Sequence, residues 1–538
     1  MELRALIDAL TSPAAYPELR PARVEVIQTH VSAVFLLEHD VFKVKKPVDL
    51  GFLDYSTLAR RRAMCEAEVE LNRRLAPEVY LGVVPVTCHE GQVVVGGAGE
   101  VIDYAVHMRR LPDERTLEAA LSRGEVPLGT MEALGGRLAA FHAGAARGPA
   151  IAAFARFAAV ERNCLDNFPP LRRDGAPVSA ALVDRVEAAT RAELGRERGT
   201  IEGRAERGVP CDSHGDLRVD HVYLFPERAP PDDLLVIDCI EFNDGFRYGD
   251  PVADLAFLVM DLRLHGHEAH AAALCAGYFA AAEDAEGRGL LPLYTAYRAT
   301  VRAKVECFRH AEPEVPASSR AAAAVSAPRH LLLALAELSP AGERPALVLV
   351  AGLPACGKST LARGLSAVAG FSVIRTDVVR KELAGLDPLD RASAPPGAGI
   401  YSAEMTARTY ETCLERAEAR LLAGERVIVD ANFRSDAQRH PFFALAGRLG
   451  VPARLLVCEV AEAVAIERLV LRTGDASDAD TAIYHYARAE WEAPGESVRP
   501  WTTVIDATEA PAVTLGRALE VLEGAGIVGA GRPATARV

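Results

Sequence analysis

The sequence predicts a chain of two modules, α+β over residues 1–338 and α/β over 339–527, the second built on a parallel sheet covered by helices. Three observations carry this. Beyond Leu347, short apolar strands alternate with helical stretches. The first of those strands breaks into Gly352-Leu353-Pro354-Ala355-Cys356-Gly357-Lys358-Ser359-Thr360, which matches G-x-x-x-x-G-K-[ST] without a gap. Between His310 and Pro345, proline-rich flanks around a leucine-rich helix read as a joint, placed near 338. Residues 528–538, rich in Gly, Ala and Arg, read as a disordered tail.

Composition narrows the class. Half of the 538 residues are hydrophobic and a quarter charged, as in globular proteins. No apolar run approaches the ~20 residues of a membrane span, and the N-terminus lacks a signal-peptide pattern. Ten scattered cysteines without a Cys-x-x-Cys pair argue against zinc sites and a disulfide framework, and make the cytoplasm the expected compartment. A net charge of −14 repels polyanions, so nucleic acid is expected only as a 5′ end serving as substrate. Almost every basic residue is arginine; the lysines are Lys43, Lys45, Lys46, Lys304, Lys358 and Lys381. In so biased a chain a lysine marks a place where a compact ammonium serves better than a fork.

Lys358 is one such place. Glycines let backbone N–H groups curl around phosphates, and the helix that follows presents further free donors. Lys358 then reaches the β- and γ-phosphates, and the Ser359 hydroxyl ligates Mg²⁺. The alternative is a plain glycine turn, but strand, loop, Lys-Ser and helix all occur in order. Cys356 inside the loop reads as a small filler.

Three other lysines crowd into one N-terminal strand. Strands are expected at Val24–His30, Val34–Leu37, Asp40–Lys46, Val83–Val86, Gln92–Val95 and Tyr104–Met108, with a helix from Ser56 to Leu75 capped by Ser56 or Thr57. Period-two alternation turns Lys43 and Lys45 to one face and Phe42 and Val44 to the other. The helix carries Glu68. A strand lysine with a helix glutamate is the pair that positions ATP phosphates in protein kinases, although surface ion pairs share the pattern. Further on, His214-Gly-Asp216 precedes His221, and Asp216 and His221 are five apart, the interval between catalytic Asp and metal-binding Asn in H-R-D-x-x-x-x-N. Asp238 closes a short apolar strand, and Gly249-Asp-Pro-Val-Ala-Asp254-Leu-Ala leads into a helix. Glu241 and Asn243 read either as additions to the site or as loop caps.

On these fingerprints, H-G-D, I-D and G-D-P-x-x-D-L-A, residues 20–310 resemble the aminoglycoside phosphotransferase group of kinase-like enzymes, with a bilobal protein-kinase-like fold. The resemblance implies Asp216 as catalytic base, His221 and Asp238 on Mg²⁺, Lys43 or Lys45 on the ATP phosphates, Glu68 as the lysine's partner, and Asp254 as an anchor beneath the catalytic loop. Three departures stand out: His221 replaces Asn, Thr29–Val34 has no glycine where a Gly-rich loop belongs, and Asp238 is followed by Cys-Ile.

In the second half, strands are expected at Leu347–Ala351, Phe371–Thr376, Arg426–Asp430, Arg454–Glu459 and Thr503–Asp506, with ligands at their carboxyl ends. Polar residues follow each: Asp377 and Arg380, then Asp430, then Arg468 and Arg472 in the fourth crossover. Residues 345–510 resemble the P-loop kinases of the polynucleotide kinase, zeta-toxin and gluconate kinase types. That resemblance implies Asp377 as the base that takes the acceptor's proton, Arg380 as substrate ligand, Asp430 supporting Mg²⁺, and Arg468 or Arg472 as lid arginines. Asp377 also reads as a helix N-cap, and the two arginines as a solvated helix face. The whole is expected to be an ATP- and Mg²⁺-dependent phosphotransferase acting on hydroxyl acceptors, with a silent, regulatory first module as the alternative.

Overall fold

The computed structural model describes residues 2–51, 53–388, 390, 397–471, 477 and 479–529. Two compact units divide the chain: Met1–Asn163 with Arg196–Arg298, and Cys164–Gly195 with Ala299–Val538. Most of the tail expected to be disordered, and Arg472, lie outside the described residues.

The first unit opens with six short strands: β1 (Glu25–Gln28), β2 (Ser32–Leu36), β3 (Asp40–Lys45), β4 (Tyr80–His89), β5 (Gln92–Val95) and β6 (Glu100–Arg109). They form one antiparallel sheet in the order β1-β2-β3-β6-β4-β5. Alternation decides its faces. Phe42 and Val44 of β3 enter an apolar core with Phe35, Val86 and Leu6, which leaves Lys43 and Lys45 on the other face. The helix Leu58–Asn72 lies in sequence between β3 and β4; Thr57 caps it by accepting the Arg60 N–H, while Ser56 bonds Asp54 instead. Helices fill most of the rest. Among them run four short strands, β7 (Cys211–Asp212), β8 (Val222–Leu224), β9 (Leu234–Val236) and β10 (Tyr248–Gly249), paired as β7 with β10 and β8 with β9. The β8–β9 ribbon carries the segment Ser213–His221 at one end and Asp238 at the other.

The second unit contains β11 (Ala346–Ala351), β12 (Ser372–Arg375), β13 (Arg426–Asp430), β14 (Ala453–Glu459) and β15 (Thr502–Asp506). All pair in parallel, in the order β12-β13-β11-β14-β15. Every residue of β11 is buried, as a central strand covered on both faces must be. The strand order changes direction beside β11, so its carboxyl end opens into a crevice suited to ligands. The expectation that no apolar run approaches a membrane span needs correction. By length and composition the alanine-rich helix Ala317–Leu338 qualifies, and Ala327, Leu331, Leu332 and Leu335 on it are buried.

Candidate functional sites

In the second unit the segment after β11 closes on itself. Gly352 has φ +135°, and a Cβ there would stand 2.4 Å from the Cys458 carbonyl oxygen and 2.7 Å from Cys356 Sγ, so only glycine fits. Gly357 takes the N-cap position of the helix Lys358–Ala369 with no side-chain cap, which leaves the first-turn amides available. Lys358 folds back, its Nζ donating to the Leu353 carbonyl at 2.7 Å and lying 3.8 Å from Cys356 Sγ. Cys356 is buried against the Cys458 thiol; that contact and Lys358 together outweigh burial and pull its pKa down, while Cys458 is pushed up.

The carboxyl ends of β12 and β13 face this loop. Arg375 donates to Ser359 Oγ at 3.3 Å and lies 3.4 Å from Asp430 Oδ2, tying the two expected Mg²⁺ residues together. Burial raises the Asp430 carboxyl, and Lys358, Ser359 and Arg375 oppose that rise. Ser359 and Asp430 present only oxygen, a donor set that suits Mg²⁺. A cavity of about 540 Å³ is lined by the loop and by Asp377, Arg380, Asn432, Arg434 and Arg468. The N-cap of the helix Thr376–Leu383 is Arg375, and Asp377 sits in the first turn, so capping does not account for it. Arg380 is 8% exposed; it donates to the Ile400 carbonyl at 2.9 Å and to Thr406 Oγ1 at 3.1 Å, and its Nε has no hydrogen-bond partner. Arg468 donates to the Ala507 and Thr508 carbonyls. Arg375, Arg434, Tyr401 and Tyr410 were not singled out from sequence; their signal was position just after or facing a strand's carboxyl end.

In the first unit the structure gathers the expected residues from distant segments. Lys43 Nζ lies 2.9 Å from Glu68 Oε1 and 3.0 Å from Asp238 Oδ1. Lys45 bonds the other Glu68 oxygen at 2.7 Å and also pairs with Glu241, which accepts from Tyr55 Oη at 2.8 Å. Lys45 is fully buried, whereas Lys43 keeps 18% exposure. Burial alone would raise Glu68, but the two ammonium groups hold it below the usual carboxylate range. Lys43, ahead of burial, pulls Asp238 far down. Glu241 therefore belongs with the lysines. Asn243 is a cap, accepting the Gly245 N–H at 2.9 Å.

The H-G-D segment hangs on Asp254. Its carboxylate accepts the backbone N–H groups of His214 (3.0 Å) and Gly215 (2.8 Å), and His142 Nε2 lies 2.9 Å away. Burial would raise this carboxyl, but His142 and those bonds bring it to about 2. Gly215 has φ +88° and its Cβ would meet the Phe246 carbonyl at 2.9 Å. Burial lowers His214 to about 4; uncharged, it accepts the Asp216 N–H on Nδ1 and donates from Nε2 to the Ile237 carbonyl. Asp216, His221 and Asp238 each offer a ligand atom within 4.8 Å of the others. The β1–β2 turn explains its missing glycine: Thr29 Oγ1 accepts the Val31 and Ser32 amides, so they are not directed outward.

A family model described as an AAA domain matches residues 347–494. Uncharacterized protein Rv2004c of Mycobacterium tuberculosis and uncharacterized protein Mb2027c of Mycobacterium bovis are each 33% identical over 474 residues, covering 87% of this chain and 90% of theirs. Similar solved structures include a sugar kinase from Janibacter sp. HTCC2649 (20% identity, TM-score 0.28, 35% of this chain and 99% of that one). A gluconokinase from Sinorhizobium meliloti 1021 is 19% identical, with TM-score 0.26 and coverage of 34% and 93%. A choline/ethanolamine kinase family protein from Mesorhizobium loti is 15% identical, with TM-score 0.37 and coverage of 62% and 99%. At these scores the structural likenesses bear no argument about chemistry.

Proposed function

This chain belongs to the family of those two mycobacterial proteins, and we propose that it is an ATP-dependent phosphotransferase with two nucleotide-binding modules, near 1–338 and 339–527. The observation that carries the reading is the phosphate loop, whose lysine is bonded only to its own loop and stands beside a cavity holding an acidic and several basic side chains.

In the second module the amides of Gly352–Thr360 cradle the phosphates, and Lys358 leaves the Leu353 carbonyl for the β- and γ-phosphate oxygens. Ser359 and Asp430 hold Mg²⁺, which when bound neutralises charge on the transferring group. Asp377 takes the proton of the acceptor hydroxyl. Arg380 holds the acceptor, and Arg468 with Arg472 stabilises charge spread over the phosphoryl oxygens. In the first module Asp216 is the base and Lys43, the more exposed lysine, meets the ATP phosphates, with Glu68 orienting it. Lys45 serves as a brace.

A second reading, in which the first module is a silent binding or regulatory domain, is favoured by the β1–β2 turn, whose amides are committed to Thr29. Radiolabelled ATP supplied to full-length Lys358→Ala, Asp216→Asn and the double variant, with sugars, aminoglycosides, nucleosides and polynucleotide ends as acceptors, tests both. Each single variant should lose a different labelled product, and the double variant all of them. Normal ATP consumption by the double variant would sink the proposal; loss of every product in Lys358→Ala alone would establish the silent first module.

A further inference from the structure

The cation site at the β8–β9 ribbon does not have the donors of a magnesium site. Mg²⁺ demands near-octahedral oxygen donors, whereas imidazole suits first-row transition ions. His221 Nδ1 donates to the Asp216 carbonyl at 2.9 Å, which leaves the lone pair on Nε2. Carboxylates flank that nitrogen on two sides. Asp238 Oδ2 is 3.7 Å from Nε2 and Asp220 Oδ1 is 3.9 Å from it. Metal–donor bonds of about 2.1 Å leave adjacent donor atoms roughly 3–4 Å apart, the spacing found here.

Asp220 adds an independent sign. Its Oδ2 is 3.1 Å from Arg218, but Oδ1 is buried and accepts no hydrogen bond. A carboxylate oxygen withdrawn from water without a donor is costly unless a cation satisfies it. Asp238 can serve two cations at once, since Oδ1 faces Lys43 at 3.0 Å and Oδ2 faces His221.

We infer that His221 Nε2 with the Asp220 and Asp238 carboxylates forms a mixed nitrogen–oxygen site selective for a first-row transition dication over Mg²⁺, Asp220 being a ligand. The purpose of the ion rests on the phosphotransferase reading of the first module, but its binding does not. The experiment therefore uses the full-length protein without nucleotide, MnCl₂ as probe, and electron paramagnetic resonance as readout. Bound Mn²⁺ should show nitrogen coupling in the pulsed spectrum and should survive a roughly hundred-fold excess of MgCl₂. An ion at Ser359 and Asp430 has only oxygen donors and gives no such coupling. His221→Asn should abolish the coupling, and both it and Asp220→Asn should weaken Mn²⁺ binding about ten-fold or more. Absence of coupling in the wild-type protein, coupling that persists in His221→Asn, displacement by equimolar Mg²⁺, or unchanged affinity in Asp220→Asn would each overturn the inference. Because the wild-type spectrum alone decides the first point, it does not depend on how well the variants fold. Retained metal binding without any ATP-derived product would instead defeat the phosphotransferase reading of the first module and leave the site standing.

Discussion

The two candidate phosphate sites treat their lysines in opposite ways. Lys358 donates to a backbone carbonyl, and among the described residues no carboxylate lies within ion-pair distance of it. Its charge is therefore available to an anion at the cost of one neutral hydrogen bond. Lys43 and Lys45 are instead held by Glu68, Asp238 and Glu241, three carboxylates for two ammonium groups. Burial strengthens those pairs and makes each partner expensive to remove. The loop is poised for a ligand by leaving a charge unanswered; the first-unit cluster is poised by balance, and an arriving phosphate must share its lysine with carboxylates.

The largest effect expected from this contrast is at Lys358. In the proposed chemistry Lys358→Ala should lower product formation by the second module on the order of 10³-fold or more, because its charge acts on the transferring phosphates. Unfolding should hardly change, since one exposed-loop hydrogen bond contributes only about 1 kcal/mol. Steady-state assays and urea titration followed by tryptophan fluorescence check the pair of outcomes; both tryptophans, Trp491 and Trp501, lie in the second unit. A large stability loss would break the comparison.

Next comes the split between the neighbouring lysines. Lys45→Met leaves Glu68 and Glu241 buried without their ammonium and should destabilise the first unit by roughly 3–5 kcal/mol. Lys43→Met, at the more exposed position, should cost less stability and weaken nucleotide binding more. Hydrogen exchange at β3 and the helix Leu58–Asn72 reads the first quantity, and calorimetry with ATP the second. Equal effects of both substitutions on both readouts would erase the distinction between brace and ligand.

The same contrast explains what could be read from the chain. The loop is contiguous, so each residue's task follows from its neighbours, and the five parallel strands announce themselves as apolar runs. Period-two alternation likewise put Lys43 and Lys45 on one face. What escaped notice depends on long-range closure. His142, 112 residues from Asp254, completes the support of the H-G-D segment, and Tyr55 and Glu241 close around Lys45 from opposite ends of the unit. No local pattern ties such partners. Lysine scarcity was an uneven guide: Lys381 is buried with its ammonium on the Pro388 and Asp390 carbonyls, and Lys46 holds the Thr29 carbonyl, so both brace loops.

Asp254 supplies a smaller effect with a definite pH dependence. An amide in its place can no longer accept both backbone N–H groups as a carboxylate does, so Asp254→Asn should cost about 2–3 kcal/mol near neutral pH. The folded value of about 2 lies below the unfolded value of about 3.9, so the unfolded chain binds the extra proton. The contribution is then complete above about pH 4 and lost as pH falls toward 2. Hydrogen exchange of His214 and Gly215 from pH 7 downward should show wild type and variant converging only at the acid end. A difference that already disappears near pH 6 would mean that Asp254 is not the group holding the segment.

The smallest effect tests whether Lys45 is fully committed to its carboxylates. Tyr55 donates to the same Glu241 oxygen that pairs with Lys45, and its ring lies 5.0 Å from the ammonium. Tyr55→Phe keeps the buried ring and removes one donor from a charged acceptor, a loss of about 1–2 kcal/mol. Glu241 retains Lys45, so the geometry at Glu68 and Lys43 should hold and ATP affinity should stay within about two-fold, which is ~0.4 kcal/mol. Differential hydrogen exchange and ATP calorimetry on the full chain measure the two sides. Should the lost hydroxyl weaken ATP binding ten-fold, Lys45 would be sharing the phosphate-binding task, and the contrast between a free lysine in one unit and a committed one in the other would have to be redrawn around both β3 lysines.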